Sequence, residues 1–382
     1  MRIGLIPRVR VNYNLLDLIK ALFVCENNTK YRDSCEKFFY DLYDGRPVML
    51  VGSARAALYY ILKSLPHKKV VLPAYNCEVV GEAAEYAGKE IIYAECDKLT
   101  FNIKTLPELD GDTVVIVAHQ YGYPCDIKEI KRKCNEAGAV LIEDCAAALG
   151  TMVDGQRAGT FGDYAVVSFN ASKLLHVPSK GGLIIAKELQ KLDAVRNVIK
   201  LKTSDISFKA KHLFRGLVFC LCKNVYVYRL FHYLTMGRSG KLRRNEGENY
   251  TCKPDDSYEY MFAEWQGSIL KKQLSLLNYY IEKNQLVLSY YNEKINNPLI
   301  ERPRIMNGTV CSRYPFYVKN KKAFYSVSCK HGVDLDSSHS RLTCPNTYEN
   351  EWTMAHEVLN IPILGLTKKE VAAVVNVVNA LR

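Results

Sequence analysis

The chain has 382 residues, of which 48% are hydrophobic and 24% charged, a balance that excludes intrinsic disorder and allows two domains. Its formal net charge is +12, but +10 of that lies between Lys200 and Arg244, where eleven Lys and Arg face only Asp205, so no basic reading surface for nucleic acid is indicated. The 13 cysteines are scattered without a CxxC pair, which fits neither a zinc site nor the disulfide framework of a small secreted domain, and they are read as reduced thiols with no metal site.

The first residues, Met1 to Arg8, lack the apolar run and small-residue cleavage site of a signal peptide, and residues 1–47 are expected to pack on a large domain. From about Val48 to Ile185 short apolar runs alternate with helical patterns. The strand candidates are residues 70–72, 91–93, 114–117, 139–142, 165–168 and 183–185. A helix fits between Asp126 and Gly138, ending on a C-cap glycine. This βαβ rhythm predicts an α/β fold with a mostly parallel central sheet over residues 48–199, its chemistry at the carboxyl ends of the strands. Residues 200–257 break the rhythm with a basic, apolar, helical insert. Its apolar run over 213–236 is interrupted by Arg215, Lys223, Arg229 and His232 and is too charged to span a membrane. From Tyr258 a long helical pattern passes through Leu270, Leu274, Leu277 and Leu288. A strand candidate at 314–318 and a last helix at 368–381 complete a smaller C-terminal α+β domain over 258–382.

Three segments carry chemistry. Small residues in Gly52-Ser53-Ala54-Arg55-Ala56 precede a helix whose first N–H groups suit a phosphate. The apolar strand Leu141-Ile142 ends in Glu143-Asp144, and a carboxylate there could cap a helix, hold a metal or meet a protonated ring nitrogen. Lys173 follows another apolar strand, where it is either solvated or desolvated into a nucleophile. Together, a carboxylate, a lysine 29 residues later and an upstream phosphate-type loop are the parts that pyridoxal phosphate needs.

The ordered motifs resemble those of the DegT/DnrJ/EryC1/StrS sugar aminotransferases. Val71-Leu72-Pro73-Ala74-Tyr75-Asn76-Cys77 is similar to the family's "V-P-x-x-T-aromatic" stretch, and Ala87-Gly88 with Cys96-Asp97 to its "A-G…D". His119-Gln120-Tyr121-Gly122-Tyr123-Pro124 matches "H-x-Y-G-x-P", and Ile142-Glu143-Asp144-Cys145-Ala146 matches "I-E-D-A-A". Gly159 to Asp163 matches "G-S-x-G-D", Ser168-Phe169 with Lys173 matches "S-F-x-x-x-K", and Val358 to Pro362 resembles "V-L-x-L-P". The resemblance implies an aspartate-aminotransferase-like, fold-type-I pyridoxal-phosphate transferase. Lys173 would carry the cofactor covalently and then shuttle a proton, Asp144 would pair with the pyridine nitrogen, and Ser168 would hold the phosphate with the amides of Ala54 and Arg55. The ring face would be covered by Cys77, or by Tyr75 from a shifted register.

Departures from the family pattern mark a divergent branch. Ala147 replaces a residue that contacts the cofactor's phenolic oxygen, Arg55 replaces a threonine of the phosphate loop, and Glu259 stands where an asparagine reaches a neighbouring subunit. The resemblance further implies a cytoplasmic homodimer that aminates a nucleotide-linked keto-sugar for surface polysaccharide, with glutamate or glutamine as donor. Its rivals are a sugar dehydratase or lyase using the same cofactor, with His176 nearby, and a non-catalytic binding protein on the same scaffold. Residues 200–245 suit either peripheral contact with an anionic membrane face or a helical hairpin over the active-site mouth or in a dimer interface.

Overall fold

The computed structural model describes residues 3–236, 258–337, 344 and 348–382. Two helices open the chain, α1 (Leu15–Leu22) and α2 (Lys30–Leu42). The sheet region then runs β1 (Val48–Val51), α3 (Ala54–Ser64), β2 (Lys69–Pro73), α4 (Glu78–Tyr86), β3 (Glu90–Ala94), β4 (Thr113–Ala118), α5 (Ile127–Ala137) and β5 (Val140–Asp144). A small hairpin of β6 (Met152–Val153) and β7 (Gln156–Arg157) precedes β8 (Tyr164–Ser168), β9 (Gly182–Ala186) and α6 (Leu189–Val198). Beyond it lie α7 (Ile206–Leu221), α8 (Val225–Met236), α9 (Glu264–Leu274) and α10 (Leu277–Lys294). The chain closes with β10 (Arg313–Tyr317), α11 (Lys321–Lys330), α12 (Glu349–Glu357), β11 (Val358–Pro362) and α13 (Lys368–Ala380).

Seven strands form the central sheet in the order β1-β9-β8-β5-β4-β2-β3. Neighbours pair in parallel except at β9, which runs against both β8 and β1. The predicted mostly parallel sheet is therefore present, and all six strand candidates lie in it. Strands β4, β8 and β9 are buried along their whole length, as continuous apolar runs covered on both faces must be. The helix predicted up to Gly138 forms as α5, and Gly138 stops it with φ 69°, a left-handed conformation that costs glycine little.

β10 and β11 make a separate antiparallel pair packed with α10 and α13 around Tyr314, Phe316, Leu359 and Val374. That core is continuous with the large sheet through an aromatic seam in which Phe101 stacks on Tyr317 at 5.6 Å between centroids. The helical pattern read from Tyr258 differs in detail. Residues 260 and 261 bridge to Lys202 and Val51, so this stretch lies beside β1, and the helices start only at Glu264. The pattern also breaks at Ser275-Leu276. Leu274 and Leu277 are both buried on either side of the break, which is why the apolar period runs through it unmarked. The insert forms two helices, α7 and α8; Arg238, Lys241, Arg243, Arg244 and the rest of 237–257 lie outside the described residues.

Candidate active site

The carboxyl edge of the sheet gathers the predicted residues. Gly182, the first residue of β9, pairs with Val51 on one side and Ser168 on the other. A Cβ at Gly182 would lie 2.5 Å from the Ala54 amide nitrogen, so only glycine lets the first turn of α3 settle against this corner. Ser53 caps that helix, its Oγ accepting from the Ala56 amide at 3.0 Å. Ser168, at the end of β8, therefore lies one strand away from the first turn of α3, a helix N-terminus suited to an anion. The guanidinium of Arg55 engages elsewhere, 3.9 Å from Glu82 on α4 and 5.7 Å from the centre of the Tyr258 ring.

The paired carboxylates at the end of β5 have separate work. Strand alternation sends Glu143 and Asp144 to opposite faces. Glu143 is fully buried and accepts from the amides of Gly159 (2.8 Å), Phe161 (2.7 Å) and Gly162 (2.7 Å), with His119 Nε2 at 3.2 Å. Burial alone would raise its pKa; the contacts with His119, Gly159 and Gly162 instead hold it below the usual carboxylate value. It is a structural clasp for the loop that begins at Gly159. Asp144 accepts only from the Ala146 amide, at 2.9 Å on Oδ1, and among the described residues no donor reaches Oδ2. Burial raises its pKa, opposed by the Ala146 N–H, by Lys173 and by His119.

Lys173 sits in the loop between β8 and β9, half-buried. Burial lowers its pKa, the positive charge of Arg313 lowers it further, and Cys77 and Asp144 oppose the shift. These four groups thus share one electrostatic neighbourhood. The loop is pinned from behind by His176, which is completely buried: Nδ1 donates to the Lys173 carbonyl at 2.9 Å and Nε2 accepts the Asn12 amide at 2.6 Å. Gln273 closes the backbone of His176 on both sides, accepting from its N–H at 3.2 Å and donating to its carbonyl at 2.7 Å. Gln266 donates to Ser179 Oγ and to the Lys180 carbonyl.

Of the two candidates for covering a ring, Cys77 stands at the start of α4 within electrostatic reach of Lys173. Tyr75 is buried in the aromatic seam, its hydroxyl 2.8 Å from that of Tyr121. Glu259 is exposed and pairs with Lys202 at 3.1 Å, and the methyl group of Ala147 offers no polar contact. Arg313, the first residue of β10, went unnoticed in the sequence because an arginine before a strand belongs to no motif; it is held by Asp336.

Pyridoxal phosphate fits these residues. The open Asp144 oxygen suits a protonated ring nitrogen, the desolvated Lys173 beside it suits covalent attachment, and the α3 corner with Ser168 suits the phosphate. Residues 24–379 match the DegT/DnrJ/EryC1/StrS aminotransferase family, whose members depend on pyridoxal phosphate. GDP-perosamine synthase of Vibrio cholerae is 30% identical over 171 residues, 41% of this chain and 44% of that protein. The matches to the first curated relatives span less than half of those relatives' own length. dTDP-3-amino-3,6-dideoxy-alpha-D-galactopyranose transaminase of Aneurinibacillus thermoaerophilus is 24% identical over 332 residues, covering 81% of this chain and 78% of that one. A sugar aminotransferase from Micromonospora echinospora has the same fold, with a TM-score of 0.72 at 18% identity over 98% of this chain and 99% of its own. The motif order, the site at the sheet edge and the match over nearly the whole length agree, and the chain belongs to the DegT/DnrJ/EryC1/StrS aminotransferase family.

Proposed function

We propose that this protein transfers an amino group from glutamate or glutamine to a keto-sugar carried on a nucleotide, in two half-reactions, supplying an amino sugar for a surface polysaccharide. The observation that carries the reading is the placement of a desolvated Lys173 in the field of Asp144 at the carboxyl edge of the sheet. When bound, pyridoxal phosphate supplies the electrophilic carbon and the electron sink for amino transfer. Asp144 holds the proton on the ring nitrogen. Ser168 Oγ and the amides of Ala54 and Arg55 hold the phosphate, and Cys77 covers one ring face. Lys173 would carry the cofactor covalently, and its Nζ would serve as the base that takes a proton from the substrate carbon. Arg313 adds to burial in lowering the Lys173 pKa and offers a cation to the anionic part of a substrate.

In this reading residues 48–199 form the cofactor-binding domain, residues 1–47 pack on it, and residues 258–382 form a small domain that contributes Arg313. The protein works as a homodimer in the cytoplasm, with the 200–245 segment of the 200–257 insert in contact with the inner face of the membrane. The dehydratase alternative gains nothing from His176, whose two nitrogens are already occupied. The test is incubation with a nucleotide-linked keto-sugar and amide- or amine-labelled glutamine or glutamate, followed by mass spectrometry of the sugar. Label in the sugar supports amino transfer, whereas loss of water from the sugar without label supports the dehydratase.

A further inference from the structure

Helices α1, α7 and α8 reverse the usual pattern of a surface helix, which turns its polar face to water. On α7 exposed Phe214, at 67%, and Leu221 fall on one stripe opposite buried Gly216, and Ile206 is exposed at the start of the helix, one side of which buries Leu213. On α8 the exposed stripe is Tyr226, Leu230, Tyr233 and Leu234, the last 73% exposed. α1 exposes Leu15, Ile19 and Leu22, followed by Phe23 at 80%, and buries Leu18 and Ala21.

These helices are held firmly with their apolar stripes outward. A Cβ on Gly216 would lie 2.9 Å from Leu18 and from Pro178, so α7 is in close contact with α1 and with the loop that carries Lys173. Lys223 donates to the Tyr13 carbonyl. α8 is fixed to the C-terminal part of the chain by Tyr228, whose hydroxyl donates to buried Asp334 at 2.5 Å, and by Arg229, which donates to the Cys329 carbonyl at 2.8 Å. The exposed apolar side chains are therefore a built surface.

We propose that α1, α7 and α8 together form a docking surface for an anionic phospholipid bilayer, on which the protein lies without crossing. This rests on the membrane placement proposed above and not on the chemistry of the active site, and it extends the contact from the insert to α1. Charge selects the occupant. Residues 200–236 carry seven Lys and Arg against Asp205 alone, and exposed Lys20, Lys211 and Arg215 border the stripes. A two-fold contact between copies would set this basic segment against itself, whereas anionic headgroups complement it. Tyr and Phe at the stripes suit the headgroup boundary. Among the described residues no helix is long and apolar enough to cross a membrane, consistent with a surface that enters only one leaflet.

The test is flotation of the full-length, cofactor-loaded protein with vesicles of phosphatidylglycerol and phosphatidylethanolamine, beside vesicles of phosphatidylcholine. The proposal expects co-flotation with the anionic vesicles only, weakened about fivefold by each of Lys211→Ser and Arg215→Ser. Phe214→Glu with Leu234→Glu should abolish it while leaving the visible absorbance of the bound cofactor unchanged, which separates failure of this surface from failure of the site. Absence of flotation overturns the proposal. So does binding that the double variant retains, or a wild-type oligomer that the double variant splits without any vesicle binding.

Discussion

His176 Nδ1 donates to the carbonyl of Lys173, 2.9 Å away, and the Asn12 amide donates to His176 Nε2. Because a carbonyl only accepts and an amide only donates, the imidazole must be neutral with its proton on Nδ1. A cation there would point a second N–H at the Asn12 amide. Burial accordingly pushes the His176 pKa down to about 4.

This relationship makes folding pH-dependent. Below its unfolded pKa near 6.5 the unfolded chain binds a proton that the folded chain refuses, so stability falls as pH drops from about 6.5 toward about 4. The full shift corresponds to about 3 kcal/mol. Urea unfolding at several pH values should show wild type losing that much more than His176→Gln over this range. Parallel pH profiles for the two proteins would contradict the assignment.

Removing the positive charge of Arg313 should raise the pKa of Lys173, since that charge now adds to the effect of burial. In Arg313→Gln a smaller fraction of Lys173 is neutral at a given pH. The rate of cofactor attachment should therefore fall, and its pH profile should move to higher pH. Stopped-flow absorbance against pH reads both. An unshifted profile would mean that Arg313 does not act on Lys173.

The sheet and the three chemical segments were legible because both rest on local signals. Alternating apolar runs name the strands, and Asp144 and Ser168 stand at the ends of two of them, with Lys173 five residues beyond Ser168. The clasp at Glu143 was not legible, because Glu and Asp side by side look alike until the pleat sends them to different faces. Nor was the support of Lys173 by Asn12, Gln266 and Gln273, which come from 93 to 161 positions away in sequence. β1 escaped notice because Val48 to Val51 is too short to show a period, and the Ser275 break because apolar spacing continues across it. The outward apolar stripes of α7 and α8 read in sequence only as a basic apolar run, since the face that a helix buries depends on its neighbours.

Asp144→Asn keeps the shape of the site and removes the charge. A neutral amide cannot hold a proton on the ring nitrogen, so amino transfer should fall by at least about a hundredfold while the fold is retained. Circular dichroism beside single-turnover kinetics separates these effects; a variant within a few-fold of wild type would remove Asp144 from the mechanism.

Arg8 donates from Nε and Nη2 to buried Asp334, 2.7 Å in each case, and Tyr325 and Tyr228 donate to the same carboxylate. Arg8→Met leaves that charge without its cation and should cost about 3 to 5 kcal/mol in chemical denaturation. A loss below about 1 kcal/mol would show that the tyrosine hydroxyls alone satisfy Asp334.

The most direct test is the visible absorbance spectrum of the purified protein with pyridoxal phosphate, recorded beside Lys173→Ala and after addition of glutamate or glutamine. The account predicts a band of lysine-bound cofactor in wild type, its absence in the variant, and its bleaching by one of the two donors. The same band in Lys173→Ala, or a wild-type band that neither donor bleaches, would contradict it.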